Sequence, residues 1–221
     1  MYMRRNIRIK ICCISSREEV EMAVAAGASA LGLVAQMPSG PGVIADELIA
    51  DLTRHIPPGV ASFLLSSETR GEQIVEQQKR LRASTLQLVD MPEEGAYDII
   101  RQQLPGIKIV QVIHVLTEAD IRLATEIARQ ADTLLLDSGN PNAAVKELGG
   151  TGRVHNWEIS REIVEQAGVP VFLAGGLNAG NVMEALQKVR PFGVDICSGV
   201  RSGGKLDPDK LHTFVQAVRS F

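Results

Sequence analysis

Val169-Pro170-Val171-Phe172-Leu173-Ala174-Gly175-Gly176-Leu177-Asn178 is the stretch whose reading decides the fold. Its apolar opening has the length of a buried strand, its glycine pair ends that strand, and Asn178 stands where a helix is capped. Apolar residues at helical spacing follow at Val182, Ala185, Leu186 and Val189. A second strand, Val194-Asp195-Ile196-Cys197, ends in another glycine turn, Ser198-Gly199-Val200-Arg201. Bare glycines at strand ends let backbone N–H groups approach an oxyanion, and a following helix N-terminus adds favourable charge. One such turn is equally a matter of turn geometry, but two at neighbouring strand ends favour a phosphate cradle. Gly175, Gly176, Ser198 and Gly199 are its candidate residues.

Working outward, the same alternation fills the chain. Strands are expected at Ile7–Cys12, Ala30–Val34, Val60–Leu65, Thr85–Val89, Ile107–Ile113 and Thr133–Asp137. Helices are expected from Ser15 or Ser16 to Gly27, then Ala45–His55, Glu72–Leu81, Ala96–Leu104, Glu118–Gln130, from Trp157, and Asp207–Phe221. Eight strand–helix units, recurring every ~20 to 30 residues, call for a parallel sheet, and at this length for closure into a single (β/α)8 barrel. No linker or shift of composition divides the chain, so residues 1–221 are expected to form one domain.

Composition narrows the partners. The 221 residues carry a net charge of −3, which gives no reason to expect nucleic acid. No run approaches the ~18 apolar residues of a membrane span, and Met1–Asn6 lacks the apolar core of a signal peptide. Three cysteines, two of them adjacent, argue for a reduced, cytoplasmic protein. No cysteine–histidine spacing suggests a metal site.

In barrels of this kind the chemistry sits at the C-terminal strand ends. Those ends carry Cys12, Val89-Asp90, His114, Asp137 and Cys197-Ser198. A thiol near a phosphate site and a cation makes a base, while the other reading of Cys12 is a small core residue. Asp137 closes an apolar strand, where desolvation raises a carboxyl pKa and suits it to act as an acid; the other reading is a loop cap. His114 and His155 are either catalytic bases or hydrogen-bonded structural histidines. Gly149-Gly150-Thr151-Gly152 follows no strand and reads as a flexible loop able to close over a ligand.

These motifs together resemble the phosphoribosylanthranilate isomerase family. Lys10-Ile11-Cys12 is similar to that family's Lys-Ile-Cys-Gly, and Gly27–Gly32 to its Gly-Ala-Asp-Ala-Ile-Gly. Leu134–Asp137, Gly149–Gly152, Ala174–Asn178 and Val194–Val200 fall in the family's order and spacing. The resemblance implies a cofactor-free Amadori rearrangement of a small phosphorylated sugar amine in tryptophan biosynthesis. It puts the general base on Cys12 and the general acid on Asp137.

The chain also departs from the family pattern. Cys13 replaces a glycine, and the second loop, Met37-Pro38-Ser39-Gly40-Pro41-Gly42, lacks the arginine that pairs with the anthranilate carboxylate. The strand-four motif Leu-Gln-Leu-His-Gly reads Leu86-Gln87-Leu88-Val89-Asp90, and Arg201 replaces a glutamate. Asp195 and Arg201 are therefore expected as substrate contacts, Arg201 supplying the missing cation. A homologue acting on another phosphorylated sugar, as isomerase or lyase, is the alternative. A non-catalytic phosphometabolite-binding protein is a third, and the pair Cys12 and Asp137 speaks against it. A monomer or homodimer is expected.

Overall fold

The computed structural model describes residues 6–139 and 156–221. Eight parallel strands close on themselves in sequence order. They are β1 (Arg8–Ile11), β2 (Ala30–Val34), β3 (Ala61–Ser66), β4 (Thr85–Leu88), β5 (Lys108–His114), β6 (Thr133–Asp137), β7 (Val171–Leu173) and β8 (Gly193–Ile196). The helices that return the chain are α1 (Arg17–Ala26), α2 (Asp46–His55), α3 (Gly71–Leu81), α4 (Ala96–Gln103), α5 (Ala119–Ile127), α6 (Trp157–Gln166), α7 (Val182–Val189) and α8 (Pro208–Arg219). β8 pairs back to β1 with Lys10 opposite Asp195 and Ile11 opposite Ile196. The alternation read from sequence is thus a closed (β/α)8 barrel.

A closed barrel covers both faces of every strand, so alternation separates two cores rather than core from water. Ile9, Ile11, Leu31, Leu33, Leu134 and Leu136 face outward under the helices. Phe63, Leu65, Val110, Val112, Leu135 and Phe172 fill the bore, with Cys12 and Cys13 packed among them. Phe63 meets Phe172 edge-on with centroids 6.1 Å apart. Gly193 leaves room for that ring, since a Cβ there would lie 2.5 Å from Phe172 Cε1.

Local chemistry sets the ends of α1. Ser16 Oγ accepts the Glu19 N–H at 3.2 Å, and Gly27 terminates the helix at φ 92°. Two features differ from the sequence expectation. Asn178 does not cap α7, because its Oδ1 accepts the Gly180 N–H at 2.8 Å and closes a turn instead. Asparagine bonds readily to backbone two residues on, and the helix starts only after Asn181. The second is a short hairpin, β9 (Arg201–Ser202) with β10 (Lys205–Leu206), reached through a 3₁₀ turn at Ser198–Val200.

Candidate active site

The C-terminal strand ends open on a cavity with about 680 Å³ between its lining atoms, open solvent included. Cys12 follows β1, Asp137 ends β6, Gly175 and Gly176 follow β7, and Asp195 and Ser198 come from β8 and its turn; all six line it. Met37, Gly40 and Pro41 bring in the second loop, and Gln87 and Val89 bring in β4.

Cys12 is held by its N–H, which donates to the Ile196 carbonyl at 2.8 Å. Its thiol fits because Gly32, on the neighbouring strand, has no side chain. A Cβ on Gly32 would stand 2.8 Å from Cys12 Sγ and 3.1 Å from Lys10 Nζ, so thiol and ammonium share one bare patch of backbone.

Lys10 is the site residue that the sequence reading missed. It is fully buried in the bore, with Nζ 2.9 Å from Asp195 Oδ1 and 5.5 Å from the centre of the Phe63 ring. Burial is the largest single influence and works to lower its pKa, but the Asp195 carboxylate, together with the neighbouring Cys12 and Cys13, holds it above the ordinary lysine value. The contact is an ion pair without the angle of a directed hydrogen bond. A signal existed: a lysine inside a strand that a barrel must cover on both faces requires a buried counter-charge.

Asp137 lies beside His114 in the β5–β6 register. Burial pushes its carboxyl pKa up, against a 2.7 Å hydrogen bond from the Ser138 N–H and the nearby His114 and Lys10. A carboxyl raised in this way is suited to donate a proton. His114 Nε2 stands 3.2 Å from the Val89 carbonyl, so in the neutral ring that nitrogen carries the hydrogen. Its Nδ1 is buried without a hydrogen-bond partner.

The two glycine turns lie against each other. Gly175 (φ 81°) and Gly176 (φ 64°) take left-handed backbone that strains any residue with a side chain. Gly199 approaches the Leu177 carbonyl so closely that a Cβ would collide with it. Ser198, beside it, lines the cavity, and Gly199 is not among the lining residues.

Arg201 corrects an expectation. It neither reaches the cavity nor points to solvent, and its side chain is only 9% exposed. Nη1 donates to Glu19 Oε1 at 2.9 Å and Gly204 O at 3.0 Å, while Nη2 donates to Cys13 O at 2.6 Å and Cys12 O at 3.1 Å. The physical reason is Glu19, a buried carboxylate at the start of α1 that the hairpin supplies with a cation. His155, Arg153 and Gly149–Gly152 lie outside the described residues. Among the described residues no group of three or more histidine, cysteine or acidic side chains is arranged to hold a metal ion.

A closed eight-unit barrel with a carboxyl and a thiol at one mouth defines a (β/α)8-barrel enzyme. The sequence profile described as N-(5'phosphoribosyl)anthranilate (PRA) isomerase matches residues 9–217, and the chain belongs to that family. An N-(5'-phosphoribosyl)anthranilate isomerase of Haloarcula marismortui is 35% identical, covering 96% of each chain. The solved isomerase of Pyrococcus furiosus superimposes with a TM-score of 0.82 at 28% identity, over 98% of this chain and 100% of that one. A phosphoribosyl anthranilate isomerase in complex with reduced 1-(o-carboxyphenylamino)-1-deoxyribulose 5-phosphate matches with a TM-score of 0.78 at 25% identity, over 97% and 100%.

Proposed function

We propose that this chain is a phosphoribosylanthranilate isomerase of tryptophan biosynthesis, converting N-(5-phosphoribosyl)anthranilate to the 1-deoxyribulose phosphate. The observation that carries this reading is the placing of Cys12 and Asp137 on separate strands around one cavity whose far wall is the pair of glycine turns.

The roles follow from the environments. Asp137, whose carboxyl pKa burial raises, gives its proton to the ribose ring oxygen, and the C1–O bond breaks to leave an iminium. Cys12 then takes the C2 proton, and the electron pair flows into the C1–C2 bond as an enamine. Tautomerisation moves a proton to C1 and leaves the ketone at C2, with no net gain or loss of atoms. Gly175, Gly176 and Ser198 hold the phosphate, and Asp195 accepts a sugar hydroxyl. The reaction needs no cofactor in this scheme. We place the enzyme in the cytoplasm, as one barrel domain working as a monomer or homodimer; among the described residues no helix is long and apolar enough to cross a membrane.

The cavity favours one second reading. Its described lining from the second loop is Met37, Gly40 and Pro41, and no arginine or lysine is among the described lining residues. That suits a related phosphorylated sugar without an aromatic carboxylate. Steady-state fluorescence with phosphoribosylanthranilate separates the two. Turnover that falls about 10²-fold or more in Cys12→Ser supports the isomerase. Absence of turnover by the folded wild-type protein refutes it and favours the second reading.

A further inference from the structure

Cys13 holds backbone that cysteine does not choose. Its φ of 64° is left-handed, and the other described non-glycine residues of that kind, Arg82 and Arg190, each end a helix. Left-handed backbone crowds Cβ against the following peptide, so glycine adopts it freely and cysteine must be held. The restraint comes from three directions. Gly42 offers bare backbone where any Cβ would meet Cys13, and the Cys13 thiol donates to the Pro41 carbonyl at 3.6 Å. The strongest restraint is Arg201 Nη2, which takes the Cys12 and Cys13 carbonyls at 3.1 and 2.6 Å.

Arg201 is itself fixed. Glu19 accepts from its Nη1 at 2.9 Å and its Nη2 at 3.2 Å, and also from the Leu206 N–H at 2.8 Å and the Ser15 N–H at 2.9 Å. The Lys210 ammonium donates to the Arg201 carbonyl at 2.9 Å. One carboxylate thus joins α1, the turn after β1 and the hairpin, and the guanidinium passes that rigidity to the two peptides that aim the Cys12 thiol.

We propose that Arg201 is a positioning residue for Cys12: it pins the left-handed turn at Cys13 and so fixes the direction of the neighbouring thiol in the cavity. This rests on the reading of Cys12 as the base. Because the restraint is needed only where the turn is strained, Arg201 and Cys13 are energetically linked. Removing the guanidinium costs alignment in the Cys13 chain and little where glycine stands at that position.

The experiment is a double-mutant cycle of Arg201→Ala and Cys13→Gly, with kcat and KM measured on phosphoribosylanthranilate and amide hydrogen exchange followed in the peptide spanning residues 11–15. Arg201→Ala is expected to lower kcat about tenfold or more with KM nearly unchanged, and to lower it less than about threefold in the Cys13→Gly background. Exchange in the peptide accelerates in the single Arg201→Ala variant and less in the double variant. Equal losses of kcat in both backgrounds overturn the proposal, as does a raised KM at unchanged kcat. Lower thermal stability with unchanged kcat also overturns it and leaves Arg201 a purely structural residue. The exchange readout needs no substrate. If wild-type protein does not turn over phosphoribosylanthranilate, the isomerase reading fails, while the exchange pattern alone still decides whether Arg201 holds the turn.

Discussion

Lys10 and Asp195 face each other across the seam where β8 meets β1, their charged atoms 2.9 Å apart inside the bore. Each is there because the other is. A buried charge whose partner is deleted is left without compensation, at a cost of roughly 3–5 kcal/mol. Lys10→Met is therefore expected to lower stability by about that much in urea unfolding, whereas Lys10→Met with Asp195→Leu recovers much of the loss. A double variant no more stable than the single one would show that the pair is not the source of the cost.

Asp137 is expected to trade stability for chemistry. Its carboxyl pKa is raised in the folded state above the ordinary 3.8. The ionised carboxylate is therefore disfavoured on folding at neutral pH; that cost begins to fall as pH drops below the folded pKa and is gone below the ordinary 3.8. Asp137→Asn should lower kcat about 10²-fold or more while raising Tm at pH 7, by ~2–4 °C for each kcal/mol relieved. The gain in Tm should shrink toward zero in acid. Calorimetry from pH 3 to 8 checks this, and an unchanged or lower Tm at pH 7 would contradict it.

Glu19 has the opposite sign. Burial works to raise its carboxyl pKa, yet Arg201 and the N–H groups of Leu206 and Ser15 outweigh burial and hold it below the ordinary 4.5. Its contribution is present above that pH and is lost as pH falls through the lower folded value. Glu19→Gln should therefore depress Tm at pH 7, by about 5 °C or more if the guanidinium is left unpaired, and flatten the fall of Tm in acid. Circular dichroism melts across that range measure both effects.

Gly199 is predicted to serve the phosphate without touching it. A methyl group there meets the Leu177 carbonyl, a backbone atom that cannot rotate away, so the two turns must separate. Gly199→Ala should raise KM about tenfold with kcat affected far less, and weaken inhibition by inorganic phosphate in parallel. An unchanged phosphate inhibition constant would place the anion elsewhere.

Much of the barrel was legible because the apolar runs and glycine breaks repeat eight times, and a parallel sheet of that period has few ways to close. Cys12, Asp137 and the glycine turns were legible for the same reason, since strand ends locate the mouth. What escaped were pairings across the chain. Lys10 was read only as part of the Lys10-Ile11-Cys12 motif, and only closure of the barrel shows it buried against Asp195. Arg201 looked like a loop cation free for a ligand, and its partner Glu19 is remote in sequence. The hairpin at Arg201–Leu206 has two-residue strands, too short for any periodicity to register. Asn178 was read as a helix cap, and its side chain closes a turn on Gly180 instead.

The seam has a meaning in the order of synthesis. Lys10 emerges from the ribosome long before Asp195, which lies seven strands further along the chain. Until β8 is made, the first strand carries an ammonium with no anion to meet it, and water must stay around it. The bore is therefore sealed late, and the thiol beside Lys10 acquires its working surroundings only in the finished barrel. A chain cut short before β8 would lack the seam and leave the edges of β1 and β7 that face it unpaired.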